Sequence, residues 1–146
     1  MSGDGRTCVR AYDADDHDAV VALWRAVFPD APAHNEPVDD IARKLLVQPE
    51  GFLVAERDGD VVGTCVAGYD GHRGWVHLLA VAPAHRRRGV GAALMNRAAE
   101  LLAAAGCPKL NLQVRARSPE AVAFYESLGF AVEERVSMGK HLAPRA

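Results

Sequence analysis

The sequence predicts an α/β domain built on a mainly antiparallel sheet, and three observations carry that prediction. Short β-type runs alternate with helical periodicity in the order β-α-α-β-β-β-α-β-α-β. Two strand junctions are the short glycine-bearing punctuation of hairpins, Asp58-Gly59-Asp60 and Asp70-Gly71-His72. A length of 146 residues fits one domain, expected to span 1–146, and 49% apolar residues suffice to fill its core.

The elements follow in order. Val9 to Tyr12 reads as a first strand. Asp15 or Asp16 can cap a helix running to about Phe28, with Val20, Val21, Leu23, Trp24, Val27 and Phe28 on its apolar face. Pro29 and Pro32 end it. Pro37 suits the first turn of a second short helix, for which Val38, Ile41, Leu45 and Leu46 supply a buried stripe. Phe52 to Glu56, Val61 to Tyr69 and Trp75 to Val81 are strand-like. Gly91 to Ala105 is rich in alanine and leucine and reads as a helix closed by Gly106. Leu110 to Val114 alternates as a strand does. Ser118-Pro119-Glu120 opens a helix through Leu128, combining a hydroxyl cap, a first-turn proline and an early acid. Gly129 stops that helix, and Phe130 to Met138 is read as a final strand.

The totals exclude several classes of function. A formal net charge of -2 argues against nucleic-acid binding by bulk electrostatics. Cys8, Cys65 and Cys107 are odd in number and never paired as C-x-x-C, so neither a disulfide framework nor a zinc site is indicated, and no metal is expected. His17, His34, His72, His85 and His141 show no metal-binding spacing. The first residues contain no apolar leader and no run is long enough to span a bilayer, so no membrane partner is expected and the cytoplasm is the expected location.

The chemistry gathers in Ala80-Val-Ala-Pro-Ala-His-Arg-Arg-Arg-Gly-Val-Gly-Ala-Ala-Leu94. A strand that ends in a glycine-rich turn and feeds a helix presents unpaired backbone N–H groups to an anion, and the helix dipole adds positive potential. Gly89 and Gly91 keep side chains out of the way, and Arg86, Arg87 and Arg88 can form charge-assisted bonds to phosphate oxygens. No lysine follows as a Walker A loop requires. The third small residue of a Rossmann fingerprint is replaced by Leu94. A solvated basic turn is the alternative reading of the same residues.

Together, Leu78-Leu-Ala-Val-x-Pro83, Arg86-x-x-Gly89-x-Gly91-Ala92 and Val122-Ala-Phe-Tyr125-x-x-x-Gly129-Phe130 resemble the GNAT superfamily of acetyl-coenzyme A-dependent N-acetyltransferases. The resemblance covers most of the chain and is most specific from Trp75 to Phe130. It implies the GNAT fold, a mixed, mainly antiparallel central sheet flanked by helices. It also implies acetyl-coenzyme A as cosubstrate, its pyrophosphate held by the amides of Arg87, Arg88, Gly89, Val90, Gly91 and Ala92, with Arg86 opening the turn. Leu79, Ala80 and Val81 are implied to pair their backbone with the pantetheine arm, and an N–H near Leu79 to polarise the thioester carbonyl.

Acetyl transfer to an amine requires loss of an amine proton, stabilisation of the developing oxyanion and protonation of the departing thiolate. By resemblance, Tyr125 is the acid that protonates the sulfur; the alternative is a core aromatic beside Phe124. A phenol with the ordinary pKa of about 10 stays protonated at neutral pH. His77, placed on the same strand face as Leu79 by period-two parity, is the candidate base, acting directly or through water; the alternative is a half-buried histidine in the sheet. Gln113, twelve positions before Tyr125, stands where the branch acting on protein N-termini has a glutamate, and glutamine cannot take a proton. Glu36, Asp39 and Asp40 lie in the segment that borders the acceptor site in the family; they can attract a cationic amine or be surface charges. Ser118 occupies a position near the coenzyme where the family often has asparagine, and its expected role is the helix cap. Three readings result: acetylation of a small-molecule amine, acetylation of a protein N-terminus or lysine, and a non-catalytic acyl-coenzyme A-binding sensor or interaction module. A homodimer through sheet edges, with the last strand as the candidate edge, is a further expectation.

Overall fold

β1 (Cys8–Ala11) starts a five-stranded sheet whose spatial order follows the chain. The computed structural model describes residues 6–115 and 118–142, and the chain divides into the units Met1–Gln113 and Val114–Ala146. A 3-10 turn, Ala14–Asp16, leads directly into α1 (His17–Val27). The cap lies one turn earlier than Asp15 or Asp16. The Asp13 side chain accepts from the Asp15 N–H, and Asp16 Oδ2 accepts from the Asp13 N–H at 2.8 Å. This reciprocal pair meets amides that the turn leaves without partners.

α2 (Pro37–Lys44) starts at its proline as expected, but only Ile41 of the anticipated stripe is buried. The helix is eight residues long, so Leu45 and Leu46 fall beyond its end and are exposed, as is Val38. β2 (Phe52–Arg57) and β3 (Asp60–Tyr69) form a hairpin through Asp58 and Gly59, both with positive φ (52° and 85°). That two-residue turn matches the twist of its strands and explains why aspartate and glycine stand there. β3 continues past the start of β2, whose Phe52 pairs with Val66. Its orphaned backbone groups are met by side chains: Lys44 Nζ donates to the Ala67 carbonyl (2.7 Å), and the Gln48 amide exchanges two hydrogen bonds with Tyr69 (2.6 and 2.8 Å).

β4 (Gly74–Val81) is antiparallel to β3, and β5 (Leu110–Leu112) is parallel to β4. Between them runs α3 (Val90–Ala104). α3 closes at Gly106 (φ 88°), where the Cys107 N–H reaches the Leu102 carbonyl and the Gly106 N–H the Ala103 carbonyl. One part of the core lies between the sheet and α1 and α2, where Val20, Leu23, Trp24, Ile41, Phe52, Val54, Val66 and Ala80 are buried together, and α3 buries Val90, Leu94, Met95, Ala98 and Leu102. Phe52 stacks with Tyr12 on one side (centroids 4.4 Å apart) and Trp24 on the other (5.7 Å).

In the second unit α4 (Pro119–Ser127) ends as the sequence leads one to expect. Gly129 adopts φ 96°, and the Phe130 N–H bonds back to the Tyr125 carbonyl at 3.1 Å. Two expectations fail here. Ser118 precedes the helix, but its hydroxyl makes no capping bond; its backbone (φ -126°, ψ 75°) departs from the extended geometry of a capping residue. Residues 130–138 form no strand: Val132, Val136 and Met138 are exposed, and no described strand pairs with them. Hydrophobic alternation alone forms no ladder without a partner edge. The expected dimer edge is therefore not a strand within this chain.

Candidate active site

The site begins where β4 parts from its neighbour. Among the described residues β4 and β5 pair through Gly74↔Leu110, Trp75↔Asn111 and Val76↔Leu112, after which no described strand pairs with β4 on that side up to Val81. On its other side β4 carries a bulge. Val66 pairs with His77 but Thr64 pairs with Ala80, so β4 uses one residue more than β3. Leu78 adopts φ 52°, a conformation rare for a branched side chain. The Leu78 carbonyl accepts a hydrogen bond from Thr64 Oγ1 on β3 (3.0 Å). Peptide bonds here are trans, so the Leu79 N–H points the opposite way from the Leu78 carbonyl, away from Thr64 Oγ1.

This bulge corrects the parity assigned to His77 and Leu79. Thr64 and Val66 are two apart on β3 and share a face, so their partners Ala80 and His77 share one as well. The extra residue shifts Leu79 out of the alternating series. The His77 ring stacks with Trp75 (centroids 6.4 Å, planes 9° apart). Although part of its surface reaches water, surrounding protein lowers the His77 pKa, with a further lowering from the Lys44 ammonium that Asp40 opposes. His77 is therefore neutral at neutral pH, the form that can accept a proton. Lys44 itself has a lowered pKa, chiefly through burial.

Past Val81 the chain makes a 3-10 turn, Pro83–His85, and reaches the three arginines. Arg87 and Gly89 both adopt positive φ (63° and 79°), which folds the backbone into α3. Gly89 is the N-cap and offers no side chain to the helix, so the amides of Val90, Gly91 and Ala92 have no partner within α3. A Cβ on Gly89 would meet nothing within 4 Å, so the space beside it is open. Arg86, Arg87 and Arg88 are exposed and form no ion pair among the described residues. His85 Nδ1 is buried without a hydrogen-bond partner among them. Uncapped amides, a helix dipole, three cations and a vacant approach suit an anion with several oxygens.

β4, the turn and the start of α3 are thus contiguous in the first unit, whereas Ser118 and Tyr125 belong to the second. Tyr125 and Phe124 are both half-buried, so neither alone faces a core; Tyr125 lies edge-on to Phe124 (5.0 Å) and to Phe130 (5.8 Å). Two of the acids near the expected acceptor side already have cations. Glu36 pairs with Arg25 at 2.7 Å and Asp40 with Arg43 at 2.6 Å, while Asp39 is exposed. Sequence reasoning missed Thr64 and Asn111. Thr64 is fully buried and bonded to the bulge. Asn111, paired with Trp75, keeps Oδ1 buried without a partner among the described residues. A polar residue inside an apolar strand pattern was the only available signal for either.

A parallel pair that ends after three residues, with β4 running on toward an uncapped helix start, defines an α/β protein with an unpaired strand edge among the described residues. Residues 17–130 match the family described as "Acetyltransferase (GNAT) family". An acetyltransferase of Yersinia pestis (strain Pestoides F) is 42% identical over 134 residues, 92% of this chain and 94% of its own. One from Pectobacterium atrosepticum is 41% identical over the same share of each chain. Among solved structures, Ard1 from Thermoplasma volcanium superposes with a TM-score of 0.75 at 28% identity, over 87% of this chain and 84% of that one. An aminoglycoside N-acetyltransferase in complex with CoA shares the fold, with a TM-score of 0.80 at 18% identity over 98% and 99% of the two chains. The chain belongs to the GNAT family of acetyltransferases and has its mixed, mainly antiparallel fold.

Proposed function

We propose that this acetyltransferase moves the acetyl group of acetyl-coenzyme A onto a primary amine of a small molecule, by direct attack. One observation carries the reading: the edge of β4 beyond Val76, with which no described strand pairs, leads straight to the uncapped start of α3, and the Leu79 N–H, opposed to the carbonyl that Thr64 holds, is assigned to that edge. The backbone of Leu79, Ala80 and Val81 holds the pantetheine arm as a further strand would be held. Amides from Arg87 to Ala92 hold the pyrophosphate, and the arginines meet the remaining phosphate. Ser118, whose hydroxyl makes no capping bond, is assigned to the coenzyme by the family resemblance alone. Bound acetyl-coenzyme A supplies the acetyl group as a thioester, from which the amine displaces the thiol.

The protein's own groups then do three things. The Leu79 N–H donates to the oxygen on which negative charge develops. His77, kept neutral by its lowered pKa, takes the amine proton directly or through water. Tyr125 gives its phenolic proton to the departing sulfur. Gln113 in place of the glutamate of the protein N-terminal branch favours a small acceptor over a protein N-terminus.

Calorimetric titration with acetyl-coenzyme A, with dephospho-coenzyme A in parallel, tests the cosubstrate. Saturable binding weakened without the 3′-phosphate is expected, and no binding at millimolar ligand would sink the proposal. Release of free thiol is then followed across small primary amines, peptide N-termini and lysyl peptides. Turnover confined to the peptides would transfer the reading to a protein acceptor.

A further inference from the structure

Resting on the assignment of the Leu79 amide above, we infer that Thr64 and Trp24 are positioning residues for that amide. They hold the carbonyl end of the same peptide group. The relay has a fixed direction. Trp24 Nε1 can only donate, and it donates to Thr64 Oγ1 at 2.7 Å. The threonine hydroxyl accepts that bond and turns its own proton to the Leu78 carbonyl at 3.0 Å. Thr64 is fully buried and Trp24 nearly so (2% exposed), so no water competes for the bond between indole and hydroxyl.

The Leu78–Leu79 peptide is where such an anchor has most effect. Leu78 sits at φ 52° inside a strand, where the regular ladder is broken and cannot fix the plane of the peptide. The Thr64 bond holds the carbonyl at this break in register. Carbonyl and N–H of one trans peptide are antiparallel, so anchoring the oxygen to Thr64 fixes the direction of the Leu79 N–H, which the assignment above gives to the thioester. A hydrogen bond on the carbonyl also polarises the peptide and strengthens its N–H as a donor, the more so because the threonine is itself polarised by the indole. The relay joins α1, through a residue 40 positions before Thr64, to the adjacent strands β3 and β4.

The test uses the intact protein, Thr64→Val, Thr64→Ser and Trp24→Phe, and acetyl-coenzyme A carrying a 13C-labelled thioester carbonyl. Infrared difference spectra read the carbonyl stretch on binding, calorimetry reads affinity, and thiol release reads kcat. Wild type is expected to shift the stretch to lower frequency. Thr64→Val should lose most of that shift and lower kcat by roughly 10- to 100-fold, with the acetyl-coenzyme A Kd changed less than about threefold. Thr64→Ser, which keeps the hydroxyl, should restore both. Trp24→Phe, which leaves Thr64 in place, should give an intermediate shift, and it carries the test alone if Thr64→Val does not fold. A normal shift and kcat in Thr64→Val, or in Trp24→Phe if that variant stands alone, would overturn the inference and leave the acetyltransferase reading intact. Tight binding without any shift in wild type would instead overturn the assignment of Leu79, and this inference with it.

Discussion

Gly89 and Gly59 offer a matched pair of perturbations for the anion turn. Both adopt positive φ (79° and 85°), and a Cβ on either would meet nothing within 4 Å. Replacing either by alanine therefore creates no clash, only the backbone cost of holding an L-residue in the left-handed region, about 1–2 kcal/mol. For a domain of this size that corresponds to a fall in Tm of roughly 3 to 8 °C, the same for both variants. Their effects on ligand should differ. Gly59 sits at the tip of the β2–β3 hairpin, whereas Gly89 caps α3 beside the proposed pyrophosphate. A methyl group there displaces an anion oxygen from the backbone, losing one charge-assisted hydrogen bond and weakening a second. At about 1.5–3 kcal/mol per bond the loss is about 3 kcal/mol, or on the order of 100-fold in Kd. Calorimetry with acetyl-coenzyme A and thermal unfolding by circular dichroism measure both quantities. If Gly89→Ala and Gly59→Ala bind equally well at their equal stabilities, the amides of this turn do not hold the ligand.

Three further outcomes follow from particular groups. Tyr125→Phe should lower kcat by roughly ten- to a thousandfold with acetyl-coenzyme A affinity nearly intact, and an unchanged rate removes Tyr125 from proton transfer. With His77 as base, kcat/KM should rise with pH through a pKa below the ordinary 6.5 and stay level above it; His77→Gln should abolish that acidic limb. Asp16, buried and held by two bonds from Arg10 (2.7 and 2.9 Å), has its carboxyl pKa lowered chiefly by Arg10. Its contribution is present above the unfolded carboxylate pKa of about 3.9 and disappears as pH falls through the lower folded value. Asp16→Asn should cost about 2 kcal/mol at pH 7, less than for a fully buried pair because Arg10 is one-third exposed, and should flatten the acid side of the stability curve in urea titrations.

Local signals in the sequence determined the hairpin at Asp58-Gly59, the helix stops at Gly106 and Gly129, and the arginine-glycine turn, because each depends on backbone preferences of a few adjacent residues. The same holds for the apolar face of α1, where Val20, Leu23 and Trp24 are buried by helical spacing alone. What tertiary structure decided is what no neighbour in sequence can encode. Nothing in Leu78-Leu79 marks a positive φ; that conformation is held by a hydroxyl fourteen residues away and an indole beyond it. Strand alternation therefore misplaced Leu79 relative to His77. The same limit applies to Phe130–Met138, where alternation predicts a strand but an unpaired edge does not make one. Glu36 reads as an acid that can attract a cationic amine until α1 supplies Arg25. Turns and helix ends obey short-range sterics, whereas a bulge, a strand and a charge's availability depend on which distant group arrives beside it.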